Sequence, residues 1–103
     1  MRESKFQADL IKELKQLFPD CIIQKLPTST QQGLPDLLIL YNDRWATLEC
    51  KKSKDERVQP NQVFFVKKMK KMSYSAFIFP ENKEQVLNEL QQALSSRRQA
   101  CAS

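Results

Sequence analysis

Apolar residues recur at helical spacing near the start of the chain. Phe6, Leu10, Leu14 and Leu17 form one stripe, and Ile11 and Phe18 widen it. With Ser4 and Gln7 in capping-box spacing, the pattern predicts an amphipathic helix that stops before Pro19. Cys21 to Leu26 alternates weakly and reads as a short strand, followed by a polar loop from Pro27 to Gln32. Leu34 to Tyr41 and Arg44 to Lys51 are the strongest strand signals, joined by Asn42-Asp43 as a two-residue hairpin. Lys52 to Arg57 is a charged loop. Pro60 suits the first turn of a second helix, on which Phe65, Met69 and Met72 make a stripe with Lys67, Lys70 and Lys71 away from it. A strand from Tyr74 to Phe79 ends at Pro80. Asn82 and Gln85 then offer a cap to a third helix whose inner side is Val86, Leu87, Leu90, Ala93 and Leu94. The predicted order is α-β-β-β-α-β-α, an α/β fold.

The hairpin carries a geometric consequence. With a two-residue loop, facing residues have numbers that add to 85, so Tyr41 faces Arg44 and Asp36 faces Glu49. Directly opposed side chains share a sheet face with Cβ atoms about 4.5–5.5 Å apart, and Lys51, two positions past Glu49, joins them. Two adjacent carboxylates repel, and a divalent cation between them removes the conflict. All-oxygen ligation points to Mg²⁺, with Mn²⁺ as substitute, rather than zinc. Such an ion acidifies a water, and an amine beside it stabilises charge on an attacked phosphate. The alternative is an ordinary ion pair between Glu49 and Lys51, with Asp36 a turn residue. A three-residue loop would set Asp36 against Cys50 instead and separate the carboxylates.

Composition narrows the chemistry. The 103 residues contain no His and one Gly. These counts exclude a Ser-His-Asp triad, a Cys-His pair, a zinc deaminase site, an HExxH helix, a P-loop, a GxGxxG fingerprint and the glycine-bearing RRM and KH signatures. Cys21, Cys50 and Cys101 form no CxxC pair, so free thiols in a reducing compartment are expected. The longest apolar run, Leu37 to Tyr41, is far short of a membrane span of about 20 residues. Without a signal peptide, the expected location is cytoplasmic. The net charge is +5, and all of the excess lies between Glu49 and Met72, where eight basic residues meet three acidic ones. That is the footprint of a polyanion-binding surface, or of a helix face kept basic for solubility. Gly33 suits a positive φ that turns the chain into the Pro35 segment. Trp45 and Tyr41 read as packing residues rather than base-stacking platforms.

Gly33-Leu34-Pro35-Asp36, then Glu49-Cys50-Lys51 after a twelve-residue gap, resembles the PD-(D/E)xK nuclease signature. The segment Val58-Gln59-Pro60-Asn61-Gln62-Val63-Phe64-Phe65 is similar to the virus-type replication-repair nuclease (VRR-NUC) family, as are Glu3 near the start of the first helix and the strand Ala76 to Phe79. The resemblance covers about Glu3 to Leu94 and implies a restriction-endonuclease-like core, with a mixed central sheet flanked by helices. It implies a metal-dependent DNA endonuclease in which Asp36, Glu49, the Cys50 carbonyl and Glu3 serve the metal, Lys51 is the catalytic lysine, and Gln62 lies near the active site. The loop from Pro27 to Gln32 lacks the basic residue often found before the GxPD run.

Lys52, Lys54, Arg57, Lys67, Lys70 and Lys71 are the expected phosphate contacts. With no base-reading motif, recognition of DNA by shape is expected, at a junction, flap or nick. The likeness to small Holliday junction resolvases implies a homodimer of phage or bacterial origin, acting in replication, repair or recombination. The alternative function is a non-catalytic nucleic-acid-binding module on the same fold. Residues 1–94 are expected to form one nuclease domain, and the polar tail 95–103 to fray.

Overall fold

The computed structural model describes residues 3–27 and 31–95. Helix α1 (Glu3–Leu17) leads into β1 (Ile22–Lys25), β2 (Leu37–Tyr41) and β3 (Arg44–Cys50). Helix α2 (Pro60–Met72) then crosses to β4 (Tyr74–Ile78), and a 3-10 turn (Pro80–Asn82) opens α3 (Lys83–Ser95). Of the tail expected from 95 onward, Ser95 closes α3 and the rest lies outside the described residues.

The four strands lie in the order β1-β2-β3-β4. β1–β2 and β2–β3 pair antiparallel, and β3–β4 pair parallel. The mixed sheet and the element order are those expected. Tyr41 pairs with Arg44 and Leu37 with Leu48, so the hairpin has the even register, and Asn42 takes the positive φ of 56° that it requires.

Alternation along β2 and β3 separates two faces. Leu37, Ile39, Ala46, Leu48 and Cys50 point to one side and are fully buried with Phe6, Leu10 and Leu14 of α1 and Val86, Leu87, Leu90 and Leu94 of α3. The other face is crossed by α2. There the buried Thr47 hydroxyl donates to Ser75 Oγ at 2.8 Å, beneath Met69. Phe18 closes the end of α1, its ring 5.1 Å from Tyr41 in an edge contact, so Tyr41 is a packing residue as expected.

Four local expectations change. Ser4 sits exposed inside α1, because the helix already includes Glu3; it is not the cap. β2 starts at Leu37, since Pro35 has no N–H for a ladder and is buried in an irregular approach. On α2 the buried residue is Val66, and Met72 is 64% exposed. Phe65 and Met69 are half-buried, and Met69 lies against Thr47, so the expected stripe holds except at its exposed end, Met72. Asn82 faces back instead of capping α3. Its Oδ1 accepts from the Phe79 N–H at 2.8 Å and its Nδ2 donates to the Phe77 carbonyl at 3.0 Å.

Candidate active site

Glu49 of β3 and Lys51, immediately past the strand's end, form the site beneath α2. Glu49 and Lys51 are 3% and 5% exposed, and their charged ends lie 3.8 Å apart. Isolated charges so buried would be costly, so their partners matter. Gln62, on the first turn of α2, supplies them. Its Nε2 donates to Glu49 Oε2 at 3.0 Å, and its Oε1 accepts from Lys51 Nζ at 2.9 Å and from the Gln59 N–H at 3.0 Å. One amide therefore orients acid and amine while also serving a helix-terminal N–H. Lys51 Nζ also donates to the Arg57 carbonyl at 3.3 Å and lies 3.8 Å from Glu56.

Asp36 precedes β2, across the hairpin from Glu49. Its Oδ2 accepts from the Cys50 N–H at 2.9 Å. Cys50 thus faces the site with its main chain, while its thiol is buried in the core, where desolvation pushes its pKa up to about 12. Glu3, at the start of α1, belongs to the same electrostatic cluster. Its carboxyl is raised first by burial, then by the neighbouring Glu56 and Asp36.

Charge in this cluster is out of balance. Burial, then the adjacent Asp36 carboxylate, raises Glu49 to about 8 despite the pull of Lys51. Asp36 is raised as well, mainly by burial, against the lowering effect of the Cys50 N–H and Lys51. Glu49 Oε1 is buried and, among the described residues, has no hydrogen-bond partner. An orphaned carboxylate oxygen beside a second carboxylate fits a hard cation, and Mg²⁺ is commonly held by one or two carboxylates with several waters. Asp36 and Glu49 are two such groups, and Glu3 interacts with them through space. Among the described residues, no three His, Cys, Asp or Glu side chains converge as a ready ligand set.

No family model and no curated protein matches this chain. A solved structure described as a VRR_NUC domain superposes on it with a TM-score of 0.62, covering 75% of this chain and 82% of its own length at 23% sequence identity. The fold is that of a VRR_NUC domain. The resemblance read in the sequence therefore holds at the level of architecture.

On this VRR_NUC fold, the expected site residues divide into two groups. Glu49, Lys51 and Gln62 come together through direct contacts, Asp36 joins them through the Cys50 N–H and through space, and Glu3 stands beside them. Lys52, Lys54 and Arg57 lie exposed on the adjoining loop, and Lys67 and Lys71 lie exposed on α2. Lys70 turns to the flank of α2, its ammonium 5.8 Å from the centre of the Tyr74 ring. Tyr74 in turn donates to Glu89 Oε1 at 2.7 Å.

Two features escaped the sequence reading. Glu56 folds back on its own loop, accepting from the Lys52 N–H at 2.6 Å as it faces Lys51. No spacing rule for a loop predicts that. Gly33 has φ +95°, as foreseen, but it is also pinned against α2: a Cβ there would lie 2.8 Å from the Asn61 carbonyl oxygen. The close approach makes one wall of a shallow depression lined by Gln32, Gly33, Gln59, Asn61 and Gln62, beside the Glu49–Lys51 pair.

Proposed function

We propose that this chain is a metal-dependent DNA endonuclease that hydrolyses phosphodiester bonds in branched or junction DNA, acting as a homodimer in replication, repair or recombination. The observation that carries the reading is the buried Glu49 carboxylate with one oxygen unpartnered, held by Gln62 beside Lys51 and facing Asp36. Charge repulsion of this kind disfavours the empty fold and favours a bound cation. The nuclease fold and the excess of lysine around the site support the same reading.

Asp36, Glu49 and the Cys50 carbonyl would hold Mg²⁺ or Mn²⁺, with Glu3 adding negative charge nearby. Such an ion supplies charge that acidifies water and offsets charge on phosphate oxygens. Lys51, fixed by Gln62, contributes a positive charge at the phosphate as negative charge builds there. In the reaction a water oxygen bonds to phosphorus, the phosphorus–oxygen bond to one deoxyribose breaks, and the departing oxygen takes up a proton. Exposed Lys52, Lys54, Arg57, Lys67 and Lys71 supply backbone contacts that position DNA without reading its sequence.

The test incubates the protein with plasmid, duplex and a synthetic four-way junction in Mg²⁺, Mn²⁺ or EDTA. Cutting should require metal, and Asp36→Asn should reduce it by about 10²–10³-fold while DNA binding persists. Paired symmetric nicks in the junction, with a dimer in sedimentation, are expected. Binding without cutting in either metal would leave a non-catalytic nucleic-acid-binding module.

A further inference from the structure

Asn61, Phe64, Lys68 and Lys71 are spaced three, four and three residues apart on α2, so they form one continuous stripe along the helix. The lower end of the stripe reaches the candidate active site: Asn61 lines the depression that also includes Gly33 and Gln62. Its upper part borders a second depression lined by Phe64, Lys67, Lys68 and Lys71.

Phe64 is 56% exposed, and the Phe65 ring meets it edge-on at 5.0 Å. Lys68 Nζ lies 5.7 Å from the centre of the Phe64 ring. Helix α2 has no acidic residue, and among the described residues Lys67, Lys68 and Lys71 make no ion pair. A single exposed aromatic among uncompensated ammonium groups is unlike a protein-binding patch, where lysine is depleted. It matches the surfaces on which single-stranded nucleic acid stacks its bases and lays its phosphates.

We propose that the Asn61–Phe64–Lys68–Lys71 stripe is a track for an unpaired DNA strand leaving the candidate active site, with a base stacked on Phe64 and phosphates on Lys67, Lys68 and Lys71. This deepens the nuclease reading and, as a statement about substrate, rests on it. From Asn61 to Lys71 the helix rises about 15 Å, the length of roughly four stacked nucleotides. A base on Phe64 displaces the Lys68 ammonium from the ring toward its phosphate. The substrate class is then DNA with a single-stranded arm next to the cut, such as a flap, in preference to continuous duplex.

The test is fluorescence anisotropy with labelled single-stranded, duplex and flapped oligonucleotides in EDTA, so that no cleavage intervenes. Phe64→Ala should weaken binding of the single strand and the flap about tenfold and leave duplex binding within about twofold, while Phe64→Trp restores it. Lys68→Ala with Lys71→Ala should lower the salt slope of single-strand binding by about 1.4. Unchanged single-strand affinity in Phe64→Ala, or an equal loss on duplex, overturns the track. So does Phe64-dependent binding to anionic vesicles without single-strand binding. Cleavage by the unaltered protein in Mg²⁺ is scored separately. Cutting together with unchanged Phe64→Ala binding removes the track alone, whereas Phe64-dependent binding without cutting keeps the strand surface and removes the nuclease reading.

Discussion

The two faces of β3 are built from alternate residues of one strand, and they differ in almost every respect. Ala46, Leu48 and Cys50 enter a sealed apolar layer between the sheet, α1 and α3. Thr47 and Glu49, with Lys51 just past the strand's end, point the other way and are nearly as buried, yet each needs a polar partner there. The first face gains stability from dispersion and water exclusion, which demand only shape. The second contains a carboxylate oxygen with no partner among the described residues and a second carboxylate nearby. A fold selected for stability alone would fill both faces alike, and the unbalanced face is the one on which the proposed cation would sit.

Substitutions on the two faces should therefore behave differently, and the largest loss of stability belongs to the apolar one. Leu90→Ala, at a fully buried position, should cost about 2–5 kcal/mol in urea unfolding while the remaining folded molecules keep their DNA affinity. A loss below 1 kcal/mol would mean that the α3 layer is not the main core.

On the polar face, Gln62→Leu should cost about 1–3 kcal/mol, because Glu49 and Lys51 lose their common partner. Cleavage should fall with it, and by more than the folded fraction explains. If activity merely tracks the folded fraction, Gln62 is only a helix-terminal residue.

The pH dependence of stability reports on Glu49, with Asp36 and Glu3, also raised, adding in the same direction. Its folded pKa of about 8 lies above its ordinary value of 4.5, so between these values the folded protein retains a proton that the unfolded chain has released. Stability must then fall as pH rises through this window. Without metal, the melting temperature should drop by about 5 °C or more between pH 5 and 8, since 1 kcal/mol shifts the midpoint by roughly 4–8 °C for a chain of this size. Mg²⁺ or Mn²⁺ should raise it more at pH 8 than at pH 5, and Glu49→Gln should flatten both responses. A melting temperature that climbs over that interval contradicts the picture of an uncompensated acid pair.

The smallest effect belongs to neither face. Lys54→Ala on the exposed loop should change stability by less than about 0.5 kcal/mol and only weaken DNA binding and its salt dependence. A larger loss of stability would show that the loop helps hold the polar face together.

The apolar face was the more legible in the sequence, since periodicity alone picked out Phe6, Leu10, Leu14, Val86, Leu87, Leu90 and Leu94. The even hairpin register was also readable, because a turn fixes pairing locally. The polar ties of Gln62 to Glu49 and Lys51 were not, because they run to another element and no helical spacing encodes them. Glu56 was hidden for a similar reason: its place depends on how a loop folds over Lys51. Gln62 was found through family resemblance, and the structure adds what its side chain touches.

The parallel pairing of β3 with β4 has a temporal consequence. Such a pair cannot form through a tight turn; it waits for the intervening segment, including all of α2, to cross the sheet. The β2–β3 hairpin can zip early and bring Asp36 opposite Glu49, but Gln62 arrives only with the crossover. A chain ending short of α2 would carry the acidic pair without the amide that holds it in order.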